Sequence, residues 1–351
     1  MFNLITIKQK GRNMNTLKKI AISILASVFV FANANAGEVS VSGTAKATYT
    51  IISVDGSPND HDTGKGLGVD NVLAFKANGE LDNGWTWAYN VENDGGALDD
   101  SSITMGLGGL GTVMINISDG GIQKNFGSVV SAYGAALDTG AGGGYVDTSD
   151  TGGMHSLRYT TPSGLPMDAV IKIQYAPYTG TGDDNAPNSA GKADAGGNED
   201  AIAYSLDITP VEGLSLGASY FNPDDSAVAQ SEEGGAWFAT YDIGSVSLGY
   251  GKSFYATSLD TGTADSVESY DNTMMSIAFN VNDDLSISYE DTNSTRGKKT
   301  TGDTDMDVTS IQASYTVAGM TLSLSNDEFE NENYAVGDKM KETIFAMSIA
   351  F

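Results

Sequence analysis

The chain has 351 residues, of which 40% are apolar but only 18% charged, with 43 Gly and no Cys. The missing cysteine excludes a structural disulfide, a thiolate zinc site and a cysteine nucleophile. A formal net charge of -27 repels nucleic acid and anionic lipid surfaces, and favours cations or neutral solutes as company.

The N-terminus reads as an export signal. Lys18 and Lys19 precede an apolar run over 20–32, then Asn33-Ala34-Asn35-Ala36 and Gly37. This is a positive region, a short apolar core and an Ala-x-Ala cleavage site. Residues 1–36 are expected to be an N-terminal extension (Met14 being a natural start) plus signal peptide, cut after Ala36, with 37–351 as one domain. Removing them leaves 13 bases against 45 acids, a net of -32. No other run of 18 apolar residues exists, so no transmembrane helix is expected.

From Val39 the dominant period is two. Val39, Val41, Ala45, Ala47, Tyr49 and Ile51 alternate with Ser40, Ser42, Thr44, Lys46, Thr48 and Thr50. Such alternation predicts a strand with one apolar and one polar face. The pattern recurs near residues 73, 85, 103 and 113, then 157, 169, 202 and 214. It continues near 237, 246, 275 and 285, then 311, 320 and 345, which makes sixteen strands. The connections alternate in length. Short ones fall at 78–84, 108–111, 162–166, 210–213, 244, 282–284 and 318–319. Long ones fall at 54–70, 93–100, 119–153, 177–200, 222–235, 255–272, 293–305 and 329–339. A meander with one turn side and one loop side predicts an all-β, 16-stranded antiparallel transmembrane barrel, with short periplasmic turns and long extracellular loops. Its polar face of Ser, Thr, Asn, Gln and charges suits a wet lumen. Aromatics near the strand ends (Trp85, Tyr175, Tyr220, Tyr289, Phe351) suit an interfacial girdle.

Three features resemble the general porins of Gram-negative outer membranes, of alphaproteobacterial type. They are the terminal strand Ile344-Phe345-Ala346-Met347-Ser348-Ile349-Ala350-Phe351, the glycine-rich turn Met105-Gly106-Leu107-Gly108-Gly109-Leu110-Gly111-Thr112-Val113, and an opening strand directly after the signal peptide. The resemblance implies a homotrimer seated in outer-membrane lipid and lipopolysaccharide. It also implies that Phe345, Met347, Ile349 and Phe351 form the signal read by the barrel-assembly machinery. The loop after the fifth strand, 119–153, would fold into the lumen as a constriction. The family often has an Arg near the end of its fifth strand, where this chain reads Asn116-Ile117-Ser118-Asp119, so selectivity is not carried across.

The expected pore-lining set comes from parity. Lys46, Lys76, Arg158 and Lys172 fall on polar faces near mid-strand, where a lipid-facing charge would cost about 2–4 kcal/mol. Asp119, Asp138, Asp147 and Asp150 of the long loop are the expected opposing acids, giving a transverse field across the pore. Acids in the other loops (Asp183, Asp184, Asp224, Asp225, Glu232, Glu233, Asp260, Asp265, Asp303, Glu330) would concentrate cations at the mouth.

Other signals carry less. Gly106-x-Gly108-x-x-Gly111 matches a dinucleotide fingerprint, but a strand follows where that motif needs a helix. Two His, His61 and His155, lack a nucleophile-elbow motif, so no enzyme, cofactor or metal centre is expected. Asp303, Asp305 and Asp307 hint at loop-bound calcium without the full ligand pattern. The expected function is passive diffusion of small hydrophilic solutes and ions, with cation preference. The rivals are a solute-specific channel, an outer-membrane enzyme and an adhesin or structural barrel.

Overall fold

The computed structural model describes residues 37–55, 62–94, 97–117, 121–124, 129–136, 147–148, 154–177, 200–224, 229–259, 266–300 and 302–351. The export-signal expectation lies outside them.

The described chain is almost wholly strand: β1 (Glu38–Asp55), β2 (Asp62–Glu80), β3 (Thr86–Asp94), β4 (Ala97–Gly106), β5 (Thr112–Ile117), β6 (Ser156–Thr160), β7 (Val170–Ala176) and β8 (Ala201–Val211), then β9 (Leu214–Pro223), β10 (Glu233–Ile243), β11 (Val246–Ala256), β12 (Val267–Asn280), β13 (Leu285–Lys298), β14 (Thr304–Val317), β15 (Met320–Glu330) and β16 (Lys339–Ala350). Each pairs antiparallel with its chain neighbour, and β16 returns to β1, closing a sixteen-stranded barrel. No helix among the described residues is long and apolar enough to cross a membrane.

Closure follows from the last strand. Its register runs from Thr44 opposite Ala350 to Asp55 opposite Lys339. Beyond the strand end, Gly43 N donates to Phe351 O at 2.7 Å and Phe351 N to Gly43 O at 3.0 Å. No backbone edge is left between these strands, as a hydrocarbon surround requires. Gly43 is needed here: a Cβ would sit 2.6 Å from Val72 O and 2.9 Å from the Phe351 ring.

The outer surface is the apolar parity. Phe345, Met347 and Ile349 are exposed there, with Ile277, Phe279, Ile287, Leu322 and Leu324 on neighbouring strands. At one end the strands join through tight turns. Gly213, Gly244 and Gly319 supply positive φ in three of them, which L residues adopt at a cost.

At the other end the strands run further than the alternation suggested. β2 starts at Asp62, β3 and β4 reach to Asp94 and Ala97, and β15 and β16 extend to Glu330 and Lys339. Above the apolar belt the outward face turns polar as well, so the alternation that marks the lipid-facing strand fades while the backbone ladder continues.

Candidate channel and constriction

The described residues of the segment between β5 and β6 (121–124, 129–136 and 147–148) lie against the inner wall of the barrel. Lys124 N donates to Ser219 Oγ on β9 at 2.8 Å. The Lys124 ammonium reaches both Asp207 oxygens on β8, at 2.6 and 2.8 Å, and lies 5.6 Å above the Phe238 ring. Ile122 packs with Ala176, Ala201, Ala203 and Phe221.

Further along, the segment rests on β13 and β14. Ala132 N donates to Ser288 Oγ at 2.8 Å, Tyr133 N to Gln312 Oε1 at 2.9 Å, and Ala136 N to Glu290 Oε2 at 3.3 Å. Gln312 Nε2 returns a bond to Gly134 O at 2.6 Å. Beneath these bonds is an apolar bed. Val129, Ala135 and Ala136 pack with Met274, Met306, Val308, Phe329, Tyr334 and Met340. Met274, Met306, Val308, Phe329 and Met340 take the inward parity and Tyr334 comes from the connection between β15 and β16, so the inner wall of β12–β16 is not uniformly polar. Burial in the lumen pushes the Tyr133 phenol up.

The basic residues expected from parity all take the inward face. Lys46 on β1 pairs with Asp70 on β2 at 3.2 Å. Lys76 stands between Ser40 and Asn90. The Arg158 Nε–H donates to Gln174 Oε1 at 2.7 Å, and Gln174 in turn donates to Ser156 Oγ at 2.8 Å. Lys172 on β7 lies in the field of Lys124, Asp207 and Arg158. Of the expected loop acids, Asp119, Asp138 and Asp150 lie outside the described residues. Asp147 is held on the β11–β12 wall, accepting from Ser253 Oγ and, through its carbonyl, from Asn272 Nδ2 at 3.0 Å.

Several features were missed in the sequence. Glu290, Asp327 and Glu342 are buried on the inner wall of β13, β15 and β16. The register places Glu290 opposite Ser310, Ser310 opposite Asp327, and Asp327 opposite Glu342, one row across four strands. Ser310 and Ser325 hydroxyls donate to Asp327 Oδ1 at 2.5 and 2.6 Å. Their inward parity was readable; the loop that covers them was not. Lys124 was also missed, because it sits on the loop, where no periodicity operates. At the mouth, the Arg296 guanidinium lies 4.7 Å above the Tyr334 ring, which also meets Tyr270 at 5.6 Å.

β7 and β15 are eight strands apart in a ring of sixteen, so they face one another across the lumen. Arg158, Lys172 and Lys124 therefore stand opposite the carboxylate row. Among the described residues no group of three or more His, Asp or Glu could hold a metal ion, and Asp303, Asp305 and Asp307 form no such group.

The described chain is thus a closed sixteen-stranded barrel with residues of the β5–β6 connection folded against its inner wall. Solved structures agree on the fold. An OmpF of Salmonella typhi in complex with daunomycin superposes with a TM-score of 0.61 at 15% identity, covering 90% of this chain and 98% of that one. An anion-selective porin of Comamonas acidovorans gives 0.65 at 12% identity, covering 90% and 100%. A mutant Rh. blastica porin gives 0.54 at 13%, covering 90% and 100%. No family model matches the chain, and no curated protein does.

Proposed function

We propose that this chain is an outer-membrane porin, passing small hydrophilic solutes and ions by passive diffusion through a lumen narrowed by the segment between β5 and β6. The observation that carries this reading is that segment: its described residues are hydrogen-bonded to β8–β9 at Lys124 and to β13–β14 at Ala132 and Tyr133. It leaves a fixed partial obstruction in the lumen. Homotrimer assembly, seating in lipopolysaccharide and handling by the barrel-assembly machinery accompany this reading. One structural neighbour carries the description of a trimer form.

Selectivity is decided by charge placement, not by the fold, since an anion-selective porin shares the architecture. Here the net charge of -27 and the carboxylates of the lumen and rim support cation preference, through focusing of the field in a narrow aqueous path. Lys124 on the basic side is offset by Asp207, and Lys46 on β1 by Asp70, which weakens the positive charges of the lumen. Purified protein in a planar bilayer under a salt gradient tests this: a reversal potential of cationic sign is expected, and an anionic sign refutes it. A solute-specific channel is the alternative, and saturable block by one solute would favour it.

A further inference from the structure

The inner wall of β11–β13 carries a row of three partly exposed side chains, Tyr255, Tyr270 and Arg296. The register sets Tyr255 opposite Tyr270 and Tyr270 opposite Arg296. The row lies one inward step beyond Ser253, Asn272 and Ser294, towards the long connections. Ser253 and Asn272 hold Asp147 of the inserted segment. The row therefore stands just above the place where that segment meets this wall.

Its members are held in place before any solute arrives. The Tyr255 hydroxyl is bonded to the Glu232 side chain. The Tyr255 ring lies 6.4 Å from that of Tyr270, with the planes 24° apart. Tyr270 in turn meets the Tyr334 ring at 5.6 Å. The Arg296 guanidinium lies 4.7 Å above Tyr334 and donates from Nη2 to Tyr334 O at 3.3 Å. Lys46 and Lys124 are each paired with a carboxylate, whereas Arg296 has no ion pair among the described residues. Its Nε–H has no acceptor among them either. Two near-parallel phenols and a stacked guanidinium lose little freedom when a solute settles on them, which favours binding.

We propose that this row is a subsite for a neutral saccharide of two or more linked pyranose units, which rests ring faces on Tyr255 and Tyr270 and turns hydroxyls to Arg296. Charge decides part of the class. An anionic solute must pass Glu232 and the acidic field of a chain of net charge -27, and an organic cation is repelled by Arg296. A neutral solute meets neither cost. Shape decides the rest. A pyranose offers an apolar C–H face to an aromatic ring and an edge of hydroxyls to a planar donor. The row covers two interstrand steps, about 10 Å, which suits linked sugar rings better than one flat heterocycle. The subsite adds a preference within the diffusion path, and other small solutes still pass.

The inference rests on reading the lumen as a solute path, and the two fail separately. Folded barrels in octyltetraoxyethylene micelles, a detergent without sugar, are titrated with maltotriose, glucuronate, choline and uridine. Binding is followed by saturation-transfer NMR. Maltotriose should bind saturably and more tightly than the other three, with the strongest transfer to its ring C–H protons. Tyr255→Leu should weaken it about tenfold, the scale of one aromatic contact, and Tyr255→Phe should keep it. Arg296→Gln should also weaken it about tenfold, as loss of a charged donor does. Tyr255 does not touch Tyr334, so its variants read the shelf even where Arg296→Gln loosens the mouth. No saturable maltotriose binding, tighter binding of glucuronate, choline or uridine, or native affinity in Tyr255→Leu would each overturn the proposal. Open-channel current without saccharide tests the path itself: a barrel that conducts but binds no maltotriose refutes the subsite alone. Heat-modified electrophoretic mobility confirms that each variant is folded.

Discussion

Asp327 and Glu342 stand directly opposite one another on β15 and β16, both buried on the inner wall. Two carboxylates in such a position are costly unless hydrogen bonds and nearby positive ends of dipoles offset them. Ser310 and Ser325 do this for Asp327. In the same row Glu290 receives the Ala136 N–H, so the acidic row and the inserted segment hold each other in place.

The anchoring of that segment should be visible in single channels. Gln312 both accepts from Tyr133 N and donates to Gly134 O. Gln312→Ala removes two bonds, each contributing about 0.5–1.5 kcal/mol. Its channels should show larger or more fluctuating conductance in a planar bilayer, while the barrel's melting temperature changes little.

Closure should be sensitive at Gly43. Gly43→Val places carbon where Val72 O and the Phe351 ring already are, and overpacking of this kind costs about 1–3 kcal/mol. The variant should lose its folded electrophoretic mobility at a lower temperature. Deleting Phe351 removes both hydrogen bonds to Gly43 and should reduce assembly into membranes, while barrels that do form conduct normally.

Charge at the basic wall should tune selectivity in one direction. Lys172 shares its surroundings with Lys124 and Arg158. Lys172→Glu should move the reversal potential further toward the cationic sign. Lys124→Ala should do the same, since it leaves Asp207 without its ion pair.

The mouth should loosen at Tyr334. Its hydroxyl meets Ser294 Oγ at 2.6 Å and its ring packs in the apolar bed under the inserted segment. Tyr334→Ala should cost about 3–5 kcal/mol, by analogy with other large aromatic truncations. Faster proteolysis between β15 and β16 would show it.

The number of strands and their facing were legible because a lipid-facing wall enforces strict parity: Phe345, Met347 and Ile349 could be assigned outward from spacing alone. Strand ends were less legible. β2 begins within a glycine-rich stretch (Gly64, Gly66, Gly68) that reads as loop, yet its backbone pairs with β1 throughout. Lys46, Lys76, Arg158 and Lys172 were placed on the inner face by the same parity. What the inserted segment touches was out of reach, because Gly134 and Gln312 are 178 positions apart and no local pattern links them. For the same reason nothing local to Met274, Met306 and Phe329 marks them as a bed for that segment.

Single-channel recording in a planar bilayer with symmetric salt examines the porin reading most directly. Stable, ohmic steps of open conductance, enlarged in Gln312→Ala, are expected. A folded barrel that inserts yet passes no current would contradict it.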